Sequence, residues 1–238
     1  MPKETANARP ATEAGVDAGA EGDAAPRSAP VLYGQPVPLT PQRHAKLRLA
    51  PDRDYAVARA VNSVPINAIE YRHAVKHYPV VFSASAPAMS IALLGLSEGE
   101  NLFVGKDGAW AAEHYVPAYI RRYPFIFMAG PDRQQYVLCV DEDADCVGKK
   151  GDAFFKKGEP TEVVERALSF CSSYQTQSET TREFVAALDR SGLLVPNRAE
   201  ITVAGGDTLR LGGFRVVDEK RFAALGDDVF LDWRKRGW

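Results

Sequence analysis

The sequence predicts an α+β fold, with largely antiparallel sheets, one long helix over about residues 160–190, and short C-terminal helices. Three observations carry this. Short apolar runs follow one another through tight glycine and proline turns instead of alternating with helices, which is the pattern of antiparallel pairing. A single stretch keeps apolar or small residues at three- and four-residue spacing: Val164, Ala167, Cys171, Tyr174, Ser178, Thr181, Val185 and Leu188. The chain of 238 residues is 45 % hydrophobic, enough for a substantial core, while 16 prolines and 19 glycines favour many short elements over a helical bundle.

In chain order, Val37 to Leu49 reads as an extended lead-in, and Pro51-Asp52 as a turn. Tyr55 to Ala60 fits a short helix or an extended segment. Val64 to Tyr71 alternates and predicts a strand. Glu70 to His77 is compatible with two helical turns that end before Pro79, because the residue before a proline disfavours helix. Pro79 to Ser83 is a buried strand. Ile91 to Leu96 and Asn101 to Val104 are predicted strands joined by a turn at Ser97 to Glu100. Lys106-Asp107-Gly108 is a hairpin turn. Pro117 opens a helix over Val116 to Tyr123, which Pro124 ends. Pro124 to Met128 pairs with Tyr136 to Val140 across Gly130-Pro131-Asp132. A helix of about thirty residues would be about 45 Å long, so its polar middle, Gln175 to Thr181, is expected to hold a break or a patch meeting solvent or a partner. Arg198 to Val203 and Leu209 to Val217 form a hairpin, with Gly212-Gly213 marking a bulge. Asp218 caps a short helix to Leu225, and Asp227 or Asp228 caps a last one.

Composition narrows the function. A net charge of −2 with 25 % charged residues creates no field that favours nucleic acid or anionic lipid. Apolar runs fall far short of the ~20 residues of a membrane-spanning helix. The three cysteines give no disulfide framework and read as reduced thiols, with a Cys139–Cys146 pair as the alternative. Residues 1–35 form an Ala/Pro/Gly-rich tail, expected to be disordered and without the apolar core of a signal peptide. Folded sequence then starts near Val31 or Pro36, and 36–238 is expected to be one domain. The location implied is cytoplasmic, with the cell surface, reached by a non-classical route, as the alternative.

Two groups are candidate sites. Trp110, Tyr115, Tyr119, Arg121, Arg122 and Tyr123 combine aromatics and arginines, as interfaces and binding grooves do. At helical spacing Tyr119 and Tyr123 also suit a core, and Arg121 also suits a partnership with Glu98, Glu100 or Asp141. Asp141, Asp143, Asp145 and Asp152 fall at positions 1, 3, 5 and 12 of a calcium-type loop, although Cys146 stands where the sharp turn calls for glycine. No cofactor is expected, and calcium in this loop is the alternative. Glu70, His73 and His77 would share a helix face, but a zinc site needs three or four ligands and only His44 and His114 remain to supply further imidazole, so a solvated helix face beside a proline is the plainer reading. No nucleophile elbow or phosphate loop is present, so no catalytic residue is assigned.

Several stretches together resemble the SapC family, named for a protein associated with bacterial paracrystalline surface layers. They are Leu39 to His44, Asn62 to Pro65, Tyr78 to Phe82, Ala92 to Leu96, Glu100 to Val104, Tyr115 to Pro117, Arg121 to Phe125, Gly212 to Phe214 and Arg236 to Trp238. The resemblance implies a non-enzymatic accessory or binding protein linked to a surface layer or to envelope uptake and modification systems. Envelope proteins or a modifying enzyme would be its partners, with self-association as a further expectation. A metal-dependent enzyme acting on peptides or glycans is the alternative function.

Overall fold

The computed structural model describes residues 14–15, 30–130, 135–202, 206 and 208–238. Most of the predicted tail, and parts of the turns at 130–132 and 205–207, therefore lie outside the described residues. Within them, fourteen strands and six α-helices form an α+β architecture, and every strand pairing is antiparallel except that of β1 (Ala14–Gly15).

The first element of the lead-in is β2 (Pro36–Pro38), but the extended reading fails directly after it. Thr40 turns the chain into α1 (Pro41–His44) by accepting a hydrogen bond from the Arg43 amide, with proline in the first turn. A threonine followed by proline is a helix start, and it outweighed the alternation of apolar residues. Next come β3 (Arg48–Leu49), a 3₁₀ turn at Ala56–Ala58, and β4 (Ser63–Pro65). The predicted strand to Tyr71 stops at Pro65, because the Asn67 amide donates to Glu70 Oε1 and begins a 3₁₀ turn, Ala68–Glu70, leading into α2 (Tyr71–Ala74).

Strands β5 (Val80–Ser83) and β6 (Ser90–Leu93) pair with each other, and β6 also pairs with β4. Asn101 to Val104 forms no strand. Buried Asn101 accepts from the Phe103 amide and donates to the Ala58 carbonyl, folding the segment as a local turn, and Val104 makes only an isolated bridge to Trp110. Helix α3 (Ala118–Arg121) follows Pro117, and β7 (Phe125–Ala129) pairs with β8 (Tyr136–Asp141), whose other edge takes β2. Short strands β9 (Val147–Gly148) and β10 (Asp152–Ala153) flank β3, while β11 (Phe155–Lys156) pairs with β12 (Glu159–Pro160).

Helix α4 runs unbroken over Glu162–Arg190, 29 residues and about 44 Å. Of the two expectations for its polar middle, the break is absent: Thr176, Glu179 and Thr180 meet solvent, while Gln175 and Thr181 are tied to neighbouring elements. Gln175 donates to the Tyr136 hydroxyl (2.7 Å), and the Thr181 hydroxyl accepts from the Ala68 amide (2.8 Å). One face of the helix crosses three apolar clusters in turn. Val163, Val164, Ala167 and Cys171 pack with Phe125, Val140 and Phe154; Tyr174 joins the central cluster of Tyr33, Ile66, Leu94 and Ile126; Val185, Ala187 and Leu188 meet Phe82, Leu193 and Trp233.

The hairpin β13 (Leu194–Thr202) and β14 (Thr208–Val217) joins the larger sheet through β5. Two residues, Gly212 and Gly213, stand opposite Arg198 alone between the Asn197–Phe214 and Ala199–Leu211 pairs, so the bulge lies where the glycines predict it. Gly213 has φ +77°, a conformation that side-chain-bearing residues avoid. Asp218 caps α5 (Glu219–Ala223) as expected, whereas Gly226 and not an aspartate precedes α6 (Asp227–Lys235), leaving Asp227 and Asp228 in its first turn.

Leu32 and Tyr33 are buried, and the Tyr33 hydroxyl donates to the Phe125 carbonyl at 2.8 Å. All three cysteines are free thiols.

Candidate functional site

The site is assembled from three pieces of local structure. The amphipathic pattern of α4 sends Val163, Arg166, Ala167, Phe170 and Cys171 to one side of its first half, a single stripe at helical spacing. The single turn of α3 places Arg121, Arg122 and Tyr123 beside that stripe. The turn at 51–55 completes the enclosure with Asp52, Arg53 and Tyr55, and the end of β8 with the loop after it adds Asp141, Asp143 and Asp145. Together they line a cleft of about 1060 Å³, at the top of the ~300–1,000 Å³ range common for ligand sites.

The two groups singled out from the sequence thus converge. Arg121, Arg122 and Tyr123 from one, and Asp141, Asp143 and Asp145 from the other, share this cleft. The remaining members lie elsewhere. Trp110 packs between Tyr55 and Phe103, and Tyr119 is buried in the central cluster. Tyr115 lines a second, neighbouring cavity of about 310 Å³, and Asp152 is an exposed residue of β10 paired with Leu49.

Arg122 is buried, with its guanidinium carbon 4.3 Å and 4.4 Å from the ring centroids of Tyr119 and Tyr174. Such stacking suits the planar guanidinium and fixes its position at the cleft floor. Arg121 is exposed. It donates to the Val116 carbonyl and the Tyr115 hydroxyl, both at 3.0 Å, and lies over the rings of Tyr115 and Phe170. It partners none of the acids considered for it. Because it lines both cavities with Phe170, it stands on the ridge between them.

Asp141 is 1 % exposed, and its carboxylate accepts from the amides of Gly34 (2.9 Å) and Gln35 (2.8 Å). It therefore ties down the segment entering β2. The Tyr123 phenol is pushed above its ordinary range, first by burial and then by the carboxylates of Asp141 and Asp145. Burial also pushes the Cys171 thiol up to about 11, with Arg122 opposing, and raises that of Cys146, with Arg53 opposing. Both thiols on the cleft are held protonated, in contrast to the low-pKa state of reactive cysteines.

Among the described residues, no group of three or more His, Cys, Asp or Glu side chains is arranged to hold a metal ion. His73 stacks on Tyr115, His77 lies against His114, and Glu70 is occupied as the acceptor of the Tyr115 hydroxyl and the Ala118 amide. The α4 wall and the 52–55 turn escape the sequence reading. The run Asp52-Arg53-Asp54-Tyr55 carries a usable signal, since alternating charges before an aromatic in a turn are surface-binding chemistry. The helix stripe carries none, because it looks the same as any core-facing face.

Fold and cleft together define an α+β protein with a large, mixed-charge cavity at the joint between a small sheet and its long helix. A scan against family models matches SapC over residues 39–238, and the chain belongs to the SapC family. No curated protein and no solved structure matches it. Among the described residues, no helix is long and apolar enough to cross a membrane.

Proposed function

We propose that this SapC-family protein is a non-enzymatic accessory or binding protein, serving a surface layer or the uptake and modification systems of the cell envelope. The observation that carries the binding role is the cleft itself, where arginines, aspartates and aromatic rings line one cavity large enough for a ligand. The envelope setting rests on family membership. Its partners are envelope proteins or a modifying enzyme, and it works without a cofactor. A cytoplasmic location is part of this reading, and the cell surface is the alternative.

Affinity capture from envelope and soluble fractions of the source cells, with and without calcium, tests this reading. The intact protein is expected to retain an envelope or modifying protein independently of calcium, and Arg121→Ala is expected to weaken that retention at least tenfold. Equal retention by both proteins would remove Arg121 from the binding surface. Stoichiometric metal in the purified protein would favour the metal-dependent alternative.

A further inference from the structure

Opposite charges that share a narrow space ordinarily pair, because pairing offsets part of the cost of removing them from bulk water. Among the described residues, the exposed aspartates and arginines of the cleft do not pair across it. Asp52, Asp143 and Asp145 are exposed, and their side chains make no ion pair or hydrogen bond among the described residues. On the opposing side of the charge balance, Arg121 is held by the Val116 carbonyl and the Tyr115 hydroxyl, and Arg53 by the Tyr123 carbonyl, with no carboxylate on either. Only Arg166 of the exposed cleft cations has an acid, and that is Glu162 of its own helix. The carboxylates come from the 51–55 turn and the loop after β8, whereas Arg121 sits against α4 beside Phe170. The acidic loop after β8 and the Arg121 ridge are thus separate walls, while the 51–55 turn carries both Asp52 and Arg53, and Tyr55, Tyr123 and Phe170 supply ring surface in the same cavity.

We infer that the cleft takes a zwitterionic, peptide-like ligand, its ammonium group at Asp143 and Asp145 and its carboxylate at Arg121. The inference rests on the binding role proposed above and names the ligand class for that site. Arginine is suited to the carboxylate end, since its fork of donors matches a carboxylate's two oxygens. Aromatic faces beside it accept the apolar side chains between the charged ends. A ligand of one sign meets repulsion at one wall, which gives the site its selectivity.

The test is calorimetric titration of the full chain with one tetrapeptide, Ala-Leu-Phe-Ala, in four forms: free, N-acetylated, C-amidated and doubly capped. The free form is expected to bind, and each cap to weaken binding tenfold or more. Asp143→Asn with Asp145→Asn should abolish the effect of acetylation alone, and Arg121→Gln the effect of amidation alone. These side chains are on the surface, so urea midpoints should match the parent and separate loss of binding from loss of fold. Equal binding of all four forms, or binding of none, overturns the zwitterion assignment. Affinity capture decides separately: a partner retained through Arg121 without peptide binding would leave the binding role standing and only the ligand class wrong.

Discussion

Asp141 does its work as a buried carboxylate that accepts hydrogen bonds from the backbone amides of Gly34 and Gln35. Removing a buried acceptor leaves donors uncompensated, so Asp141→Ala is expected to lower stability by about 2–4 kcal/mol in urea unfolding. Asp141→Asn, which keeps one acceptor oxygen, should lose less. Glycines give a second contrast at this scale. A Cβ on Gly151, at φ +100°, would stand within van der Waals overlap of the Leu49 carbonyl, while one on Gly99, at φ +76°, meets nothing within 4 Å. Gly151→Ala should therefore cost more than about 3 kcal/mol and Gly99→Ala only about 1 kcal/mol, read from thermal midpoints of the two variants.

At the scale of elements, α4 decides most of the architecture. Its polar middle is tied to β8 through Gln175 and to the 3₁₀ turn before α2 through Thr181. Hydrogen exchange of amides 175–181 is expected to be as slow as in the turns on either side, and rapid exchange confined to that stretch would contradict a continuous helix. Much of this element was legible, because an apolar stripe over eight turns leaves one periodicity to choose. The same holds for β7 and β8, for the bulge at Gly212-Gly213 and for the Asp218 cap. The short elements were harder to read. Thr40-Pro41, Asn67 with Glu70, and Asn101 each redirect the chain by one or two side-chain hydrogen bonds, which periodicity over a window does not register. The cleft was legible as two lists of residues and not as one place. That Arg121 and Asp143 line the same cavity depends on how α3 and the loop after β8 pack against α4, a long-range relation.

For the molecule as a whole, burial sets the response to alkali. Cys139 and Cys171 have thiols pushed up to about 11 from an ordinary value of 9, and burial holds the Tyr71 phenol at about 12. Below pH 9 these thiols are protonated whether folded or unfolded and add no pH dependence. Between pH 9 and 11 the unfolded chain releases its thiol protons while the folded one keeps them, so stability should fall as pH rises. Urea midpoints across pH 8–11 check the sign, and Cys171→Ser should flatten part of the slope. Phe154, fully buried between Phe125 and the first turns of α4, joins the small sheet to the helix, and Phe154→Ala should cost about 3–5 kcal/mol.

Trp110 stands one ring behind the cleft, edge-on to Tyr55 at 5.6 Å, whereas Trp233 and Trp238 pack on Phe184 at the far end of α4. The protein accordingly carries its own optical gauge. With Trp233→Phe and Trp238→Phe in place, emission comes from Trp110 alone, and a ligand that displaces Tyr55 writes its arrival into the colour and intensity of that light.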